Sequence, residues 1–287
     1  CGLFGYSRQA YYQHIQRKEY QLFNSAIVVD LIEKEREVAK KIGGRRLHKI
    51  LQDKLQLHQI KMGRDAFFEL MRVNNLLVRP KKRYKNTTNS RHHLRKYDNL
   101  AKDLILTAAE QLWVSDITYI DVKNSNCYLI LITDAYSKLV VGYHVANKMD
   151  TAFCMVALNQ ALAGRKHLER QLMHHSDRGM QYCSFEYTNT LKDNDINISM
   201  TQNGDPYENA LAERMNRTFK DVFGLDDNFS IFTKAKEQVD EAIKYYNDRL
   251  PHTSIDLLTP NQAHHREGRL KKHWKWYWKE KQELLLQ

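Results

Sequence analysis

Apolar residues recur at helical spacing through the first 80 residues, in the segments 24–42, 45–57 and 63–73. Asn24 or Ser25 can cap the first helix, and the glycine pair that follows this segment would end it. Three short helices with tight glycine turns and many cations are typical of a helix-turn-helix-like unit. A helical domain that serves only for packing would show the same periodicity.

From Trp113 the pattern changes to alternation in stretches rich in β-branched and aromatic residues, which predicts strands. Three such stretches with short connections predict an antiparallel meander. The order that follows is helix, strand, helix, strand and helix, so the chain is predicted to form a mixed α/β layer fold. The stretches, in order, are 112–122, 127–137, 138–146, 149–165, 171–177, 184–194, 196–201 and 203–223.

The last of these helices is predicted from NGDPYENALAERMNRTFKDVF, residues 203–223. Asp205 can accept hydrogen bonds from the first helical amides, Pro206 suits the first helical position, and Glu208 stands three residues after the cap. The sequence therefore predicts a helix that begins at Asp205 with a capping box.

Three charged residues of this helix, Glu213, Arg217 and Lys220, stand at positions i, i+4 and i+7 and share one face. One carboxylate and two cations are thus in line along two helical turns. We interpret the helix as the carrier of the last acidic ligand in a metal-dependent phosphoryl-transfer site.

The 287 residues carry a formal net charge of +11, and the charge is unevenly distributed. Lys and Arg number 15 against 8 Asp and Glu in residues 1–80, 7 against 1 in 81–100, 17 against 23 in 101–268, and 6 against 2 in 269–287. Basic flanks favour a polyanionic partner, and the acidic middle would need cations before it could approach one. A well-solvated basic surface is the alternative interpretation.

The two basic segments, 81–105 and 269–287, differ in composition. Residues 81–105 are polar and lack apolar periodicity, which indicates a linker. In the tail, 269–287, Trp274, Trp276 and Trp278 alternate with Lys and Tyr. These tryptophans could stack on nucleic acid, dock on a partner subunit or fold onto their own domain.

Several protein classes are disfavoured. No apolar run approaches the ~18 residues of a membrane span, and the first residues lack the long apolar stretch of a secretory signal, so we expect a cytoplasmic protein. The four cysteines are widely spaced and form no C-x-x-C pair, so we expect neither structural zinc nor a disulfide framework.

Carboxylates are spread as a two-metal site requires. Phosphodiester cleavage and strand transfer need an activated oxygen nucleophile and a stabilised leaving oxygen, which two Mg²⁺ about 3.5–4 Å apart can supply. Asp116 in the first strand, Asp177 at the end of the fourth and Glu213 on the late helix lie 61 and 36 residues apart. Three other carboxylates compete for these roles: Asp121, Asp134 and Glu208.

Three motifs, WVSDITYI, HHSDRGMQY and NGDPYENALAERMNRTFK, resemble those of the insertion-sequence transposases of the IS3 family, in the second-frame (OrfB) part. SRQAYYQ, GGRRLHKILQ and YYNDRLPHTSIDLLTPNQA agree with the family in order as well, so the resemblance covers nearly the whole chain. The family is similar to retroviral integrases. The resemblance implies an RNase H-like mixed sheet with flanking helices, preceded by a small helical, helix-turn-helix-like domain.

The resemblance also implies a DDE transposase with a catalytic triad of Asp116, Asp177 and Glu213 that holds two Mg²⁺, for which Mn²⁺ can substitute. The family's basic residue seven positions after the Glu falls on Lys220, about 10 Å along the helix axis and within reach of DNA beside the metals. The implied reaction is metal-dependent DNA cleavage at the ends of an insertion element, followed by strand transfer.

Implied partners are double-stranded DNA at the terminal inverted repeats and the target, other copies of the chain on DNA, and an OrfA or fused OrfA segment. The implied location is the bacterial cytoplasm, on the nucleoid. Candidate DNA contacts are Arg45, Arg46, Lys49, Arg178, Arg217 and Lys220. The expected domains are a helix-turn-helix-like DNA-binding unit, a basic linker, an integrase-like core and a basic tail, at 1–80, 81–105, 106–268 and 269–287.

Two other functions compete with this prediction. A non-catalytic DNA-binding relic or regulator of transposition would recognise element ends through residues 1–80. A nuclease of the same fold would act on RNA–DNA hybrids instead.

Overall fold

A computed structural model describes residues 7–78, 94–102, 104–123, 125–202 and 209–273. The chain divides into two compact units, Cys1–Lys82 and Arg83–Gln287. Most of the predicted linker and the three tail tryptophans lie outside the described residues.

The N-terminal unit contains three helices, α1 (Arg8–Val38), α2 (Gly44–Leu57) and α3 (Arg64–Val73). They pack through buried apolar residues that recur at helical spacing. On α1 these residues belong to the C-terminal half of the helix, and the aromatic residues of its N-terminal half are exposed. The main buried residues are Val28, Ile32, Leu47, Leu51, Phe67 and Met71.

The expected start of the first helix, at Asn24 or Ser25, is wrong. Helix α1 begins 16 residues before Asn24, at Arg8, where Ser7 caps it by accepting a hydrogen bond from the Ala10 N–H at 3.1 Å. Neither glycine nor proline interrupts the sequence from Arg8 to Val38, so nothing stops the helix from continuing through both expected caps.

The second unit is built on one five-stranded sheet with the strand order β3-β2-β1-β4-β5. The first three strands form the predicted antiparallel meander, and β4 and β5 join parallel to β1. The predicted RNase H-like mixed sheet with flanking helices, after a helical region, is thereby confirmed. The strands are β1 (Leu112–Tyr119), β2 (Tyr128–Asp134), β3 (Val140–Ala146), β4 (Met173–Ser176) and β5 (Asn197–Met200).

Five helices flank this sheet: α4 (Thr151–Gly164), α5 (Phe185–Asp193), α6 (Ala210–Phe223), α7 (Phe232–Arg249) and α8 (Pro260–His264). Trp113 packs with α4 and α5 on one face of the sheet, whereas Leu112 and Val114 pack with Ala212 of α6 on the other. Because neighbouring residues of a strand point to opposite faces, β1 contacts the helices on both faces of the sheet.

Helix α4 approaches β3 closely at Gly142. A Cβ at this position would lie 2.2 Å from the carbonyl oxygen of Ala157, so only glycine fits there. Asp150 begins the helix by accepting from the Ala152 N–H at 3.1 Å. Helix α6, which carries Glu213, packs on the opposite face of the sheet from α4.

Helix α6 is described from Ala210, and it ends at Gly224 in a left-handed conformation with φ of 71°, as glycine readily allows. The predicted cap at Asp205, with Pro206 and Glu208, lies outside the described residues. Asn209 stands at the N-cap position without a side-chain capping bond.

Cys127, Cys154 and Cys183 are buried free thiols. Among the described residues, the structure contains no helix that is both long enough and apolar enough to cross a membrane.

Candidate active site

Asp116 lies in the middle of β1, opposite Leu131 of the antiparallel neighbour β2. On its other side β1 runs parallel to β4, with Val114 opposite His175. Asp177 directly follows β4, and continuing this register by two residues would place it opposite Asp116. Because neighbouring strands lie about 4.8 Å apart, the two aspartates would then be close together.

A tight turn after β4 orients Asp177. Its Oδ1 accepts a hydrogen bond from the Gly179 N–H at 2.9 Å, the geometry of an Asx turn. A Cβ on Gly179 would lie 2.9 Å from the same oxygen. Any other residue at position 179 would therefore displace the Asp177 carboxylate.

Two asparagines fasten the first two turns of α6 to β1. The Asn209 side-chain amide donates to the Ser115 carbonyl at 3.2 Å, and the Asn216 amide donates to Asp116 Oδ2 at 2.7 Å. Glu213 lies in the first turn of α6, three residues before Asn216 and on the same side of the helix. The helix thus carries Glu213 toward the β1 aspartate.

The electrostatics of Asp116 show that the other two predicted carboxylates are near it. The pKa of Asp116 is raised to about 7, first by burial, then by the charge of Asp177 and to a smaller extent by that of Glu213. The Ile117 N–H and the Asn216 amide oppose this rise. Partial burial also raises the pKa of Glu213.

These carboxylates are near one another without forming a closed ligand cage. In the described part of the chain, no group of three or more His, Cys, Asp or Glu side chains is arranged so that it could hold a metal ion. The donor set nevertheless suits Mg²⁺, which prefers oxygen ligands. A cation beside Asp116 would also relieve the repulsion that raises its pKa.

The predicted cations of the core lie on the segments that carry Asp177 and Glu213. Arg178 directly follows Asp177, and Lys220 stands partly exposed in the last turn of α6. Arg217 is exposed, with its Nε 3.6 Å from Asp221 Oδ2. Such a surface ion pair contributes little, so Arg217 can exchange Asp221 for a phosphate at small cost.

The predicted DNA contacts of the N-terminal unit lie on α2. Arg45 and Lys49 are exposed, and Arg46 is partly buried. Leu47 and Leu51, on the opposite side of this helix, are fully buried. The helix therefore presents a cationic face away from its core.

Asp134, a rival for the role of Asp116, is fully buried and surrounded by donors. Its carboxylate accepts from the N–H groups of Glu110 at 2.7 Å, Tyr136 at 3.1 Å and Ser137 at 2.8 Å. The Ser137 hydroxyl donates as well, at 2.8 Å. This carboxylate organises the turn after β2.

The second rival that the structure describes is Asp121. Asp121 follows β1, and its main-chain carbonyl accepts from the Phe229 N–H at 3.0 Å. Neither it nor Asp134 is among the main causes of the shifted pKa of Asp116, whereas Asp177 and Glu213 are. Glu208 lies outside the described residues.

Sequence reasoning missed Asn209, Asn216 and Gly179. The position of Asn216, three residues after Glu213, was a signal that could have found it, because such residues share a helix face. It also missed a buried hydrogen bond next to Asp116 along β1, in which the Ser115 hydroxyl donates to Tyr182 Oη at 2.9 Å. Burial holds the pKa of Tyr182 well above its usual value, so its hydroxyl is neutral.

The chain is similar to known proteins in sequence. The integrase core domain family matches residues 107–206, and a second family with the same description matches residues 194–260. The transposase for insertion sequence element IS904 of Lactococcus lactis subsp. lactis is 30% identical over 177 residues, covering 59% of this chain and 70% of that protein.

Two further similarities extend over other lengths. The insertion element IS600 uncharacterized 31 kDa protein of Shigella sonnei is 29% identical over 264 residues, covering 91% of this chain and 95% of that protein. The catalytic core domain of HTLV-2 integrase, solved in complex with magnesium, matches 55% of this chain and 98% of that chain with a TM-score of 0.43 and 19% identity.

The family models and the IS904 relative show that this chain contains an integrase core and is related to transposases of insertion elements. The chain belongs to the insertion-sequence transposases of the IS3 family.

Proposed function

We propose that this chain is a DDE transposase that cleaves DNA at the ends of an insertion element and transfers the cleaved strand to a target. In this proposal Asp116, Asp177 and Glu213 hold two Mg²⁺. The observation that carries it is the Asp116 carboxyl, whose pKa is raised to about 7 by burial and by two neighbouring carboxylates. Buried carboxylates are ordinarily surrounded by donors, whereas carboxylates that face one another suit a cation.

Each residue of the trio would hold the metals from a different element. Asp116 from β1 and Asp177 after β4 would hold the first ion, and Glu213 of α6 would complete the second site; Mn²⁺ accepts the same ligands. Bound there, two such ions supply an activated attacking oxygen and a stabilised leaving oxygen. Because the three side chains do not yet form a closed group, we infer that Glu213 moves closer to the aspartates when DNA and ions bind.

The neighbouring residues would orient this site. Asn216 holds one oxygen of Asp116, and Gly179 leaves room for the carboxylate of Asp177. Lys220 and Arg217, on the helix that carries Glu213, would contact phosphates of the bound strand, as would Arg178 beside Asp177. These cations would offset the negative charge that the carboxylates present to DNA.

The N-terminal unit would recognise the element ends. Its cationic helix α2, with Arg45, Arg46 and Lys49, suits contact with duplex DNA. Other copies of the chain on the same DNA, and an OrfA or fused OrfA segment, are the expected protein partners.

The test is a cleavage and joining assay with the full chain, Mg²⁺ and duplexes that contain the terminal repeats of its element. Asp116→Ala, Asp177→Ala and Glu213→Ala should each abolish cleavage and joining while DNA binding persists. Asp121→Ala, a carboxylate close along the chain to Asp116, is the matched control and should retain activity.

Full joining by all three variants would overturn the proposal. Binding without cleavage by the unaltered chain would instead favour a non-catalytic regulator. Cleavage of RNA–DNA hybrids in preference to element ends would favour a nuclease.

A further inference from the structure

In the sharp turn between β2 and β3, the side chain of a lysine folds back onto the backbone of the turn. Lys138 has a φ of 67°, which is uncommon for a residue with a side chain. Its N–H donates to the Asp134 carbonyl at 2.9 Å, and its ammonium donates to the Ala135 carbonyl. The turn therefore fixes the position of this ammonium group.

Among the residues that the structure describes, no carboxylate forms an ion pair with that ammonium. The nearby Asp134 carboxylate already accepts four hydrogen bonds from the turn and from Glu110. In the parts of the chain that the structure describes, Lys138 makes no ion pair. Its positive charge is thus available to a ligand.

The same turn packs against the start of α6. Ala135 belongs to one apolar cluster with Ala212, two residues before Arg214. Arg214 is exposed and directly follows Glu213, so it points about 100° around the helix from the carboxylate. The cation and the proposed metal ligand are therefore neighbours on one helical turn.

A third cation comes from the end of the described chain. The Tyr136 hydroxyl donates to the Gly268 carbonyl at 2.8 Å, which brings this segment to the turn. Backbone bonds from Asp256 N–H to Lys271 at 2.9 Å and from His273 N–H to Thr253 at 2.8 Å hold the residues on either side of Lys272.

The three cations act on one another. The pKa of Lys138 is lowered to about 8, mainly by burial, with Asp134 opposing the shift and Lys272 and Arg214 adding to it. At neutral pH the lysine is still mainly charged. An anion placed among the three would relieve both the repulsion and the burial of an unpaired charge.

We propose that Lys138, Arg214 and Lys272, here called the turn cluster, bind a backbone phosphate of the substrate DNA beside Glu213. The proposal rests on the proposed function, since it takes the DNA strand at the carboxylates as its ligand. It gives the acidic core a cationic contact on the side of α6 away from Lys220. One phosphate of the strand would bind the turn cluster while a phosphodiester further along the same strand meets the carboxylates.

The first test measures salt dependence. Binding of the full chain to a fluorescent duplex of the element end is titrated in EDTA at several salt concentrations, so that cleavage plays no part. Lys138→Met and Arg214→Gln should each reduce the slope of log affinity against log salt by about 0.9, the value for one phosphate contact. Lys234→Met removes an exposed lysine at the start of α7 and serves as the charge-matched control.

The second test locates the contact. Methylphosphonates, which carry no charge, replace single phosphates of the duplex in turn. The unaltered chain should lose affinity at a phosphate near the cleaved bond, and Lys138→Met should show no further loss at that phosphate. Thermal unfolding checks that the variant is folded; Lys138→Arg, which keeps the charge, should retain the unaltered slope.

The phosphate-binding role of the turn cluster would be refuted if Lys138→Met and Arg214→Gln gave the same salt slope as Lys234→Met. An unchanged methylphosphonate profile in Lys138→Met would refute it as well. The proposed function fails separately, if the unaltered chain does not cleave element ends with Mg²⁺. Because the binding tests use no metal, each proposal can fail while the other stands.

Discussion

Two aspartates on neighbouring strands, the partly buried Asp116 of β1 and the fully buried Asp134 of β2, have opposite surroundings. Asp134 accepts four hydrogen bonds of 2.7–3.1 Å, from three backbone amides and one hydroxyl. Asp116 accepts from the Ile117 N–H at 3.0 Å and the Asn216 amide at 2.7 Å, and two carboxylates lie near it. A carboxylate whose oxygens accept several hydrogen bonds stabilises the fold, whereas one that faces other carboxylates is suited to a cation.

The largest expected contrast comes from removing each charge. Asp134→Asn sets a side-chain amide against buried donors, and a buried unsatisfied group costs about 1–3 kcal/mol. With several donors affected, we expect a loss of about 3 kcal/mol or more in the free energy of unfolding, measured by urea denaturation. Asp116→Asn should leave that free energy unchanged or raise it, while abolishing strand joining.

Equal losses of stability in the two variants would contradict the contrast. So would retained joining in Asp116→Asn, because the account assigns this carboxylate to the metals.

A smaller effect is expected at Gly179. In Gly179→Ala the new Cβ would lie 2.9 Å from Asp177 Oδ1, so the carboxylate must move. Misplacement of a catalytic group by about 1 Å can cost 10²-fold in rate, and we expect kcat for joining to fall by that order with the urea midpoint nearly unchanged.

Gly164→Ala is the matched control, since a Cβ at position 164 would contact nothing within 4 Å. Equal activity of the two alanine variants would show that the Asp177 turn has no part in orienting the carboxylate.

The raised pKa of Asp116 predicts how the metal-free protein responds to pH. Between the ordinary carboxyl pKa and about 7, the folded state binds a proton at Asp116 that the unfolded state lacks, so the contribution of this group to stability falls as pH rises through that window. Above the window the contribution is lost. Urea midpoints measured in EDTA from acid to neutral pH should show the fall, and Asp116→Asn should remove it.

The same pH dependence in Asp116→Asn and in the unaltered chain would assign the effect to other groups. Saturating Mg²⁺ should flatten it in the unaltered chain only, because a bound cation favours the ionised carboxylate.

The smallest expected effect is at Asn216, whose amide lowers the pKa of Asp116. Asn216→Leu keeps the size of the side chain and removes the 2.7 Å hydrogen bond. The Asp116 carboxyl should then titrate at higher pH, as followed by carbon-13 NMR of the metal-free protein. Joining should fall less than in Gly179→Ala, and an unchanged titration would show that the hydrogen bond does not act on Asp116 in solution.

The sequence predicted the elements whose residues alternate or recur regularly, and it failed at one helix start. The strands around Trp113 and the apolar stripe of α2 were readable because each periodicity matches one buried face. The start of α1 at Arg8 was missed because two good capping residues, Asn24 and Ser25, stand inside a helix that nothing interrupts.

For the candidate site, family resemblance selected Asp116 from its rivals, and the residues alone did not. The four donors of Asp134 include the Glu110 amide, 24 residues away, and no local pattern announces that contact. The hydrogen bond from Asn216 to Asp116 spans 100 residues. Such pairings depend on how α6 packs on β1, so they become visible only in the folded chain.

The central claim is that Asp116, Asp177 and Glu213 together form the metal site. Its most direct test is a Mn²⁺ titration of the full chain with an element-end duplex, followed by electron paramagnetic resonance. The account predicts two bound ions that Mg²⁺ displaces, loss of binding in Asp116→Asn, weakened binding of one ion in Glu213→Gln and no change in Asp121→Asn. Unchanged Mn²⁺ binding in both Asp116→Asn and Glu213→Gln would contradict it.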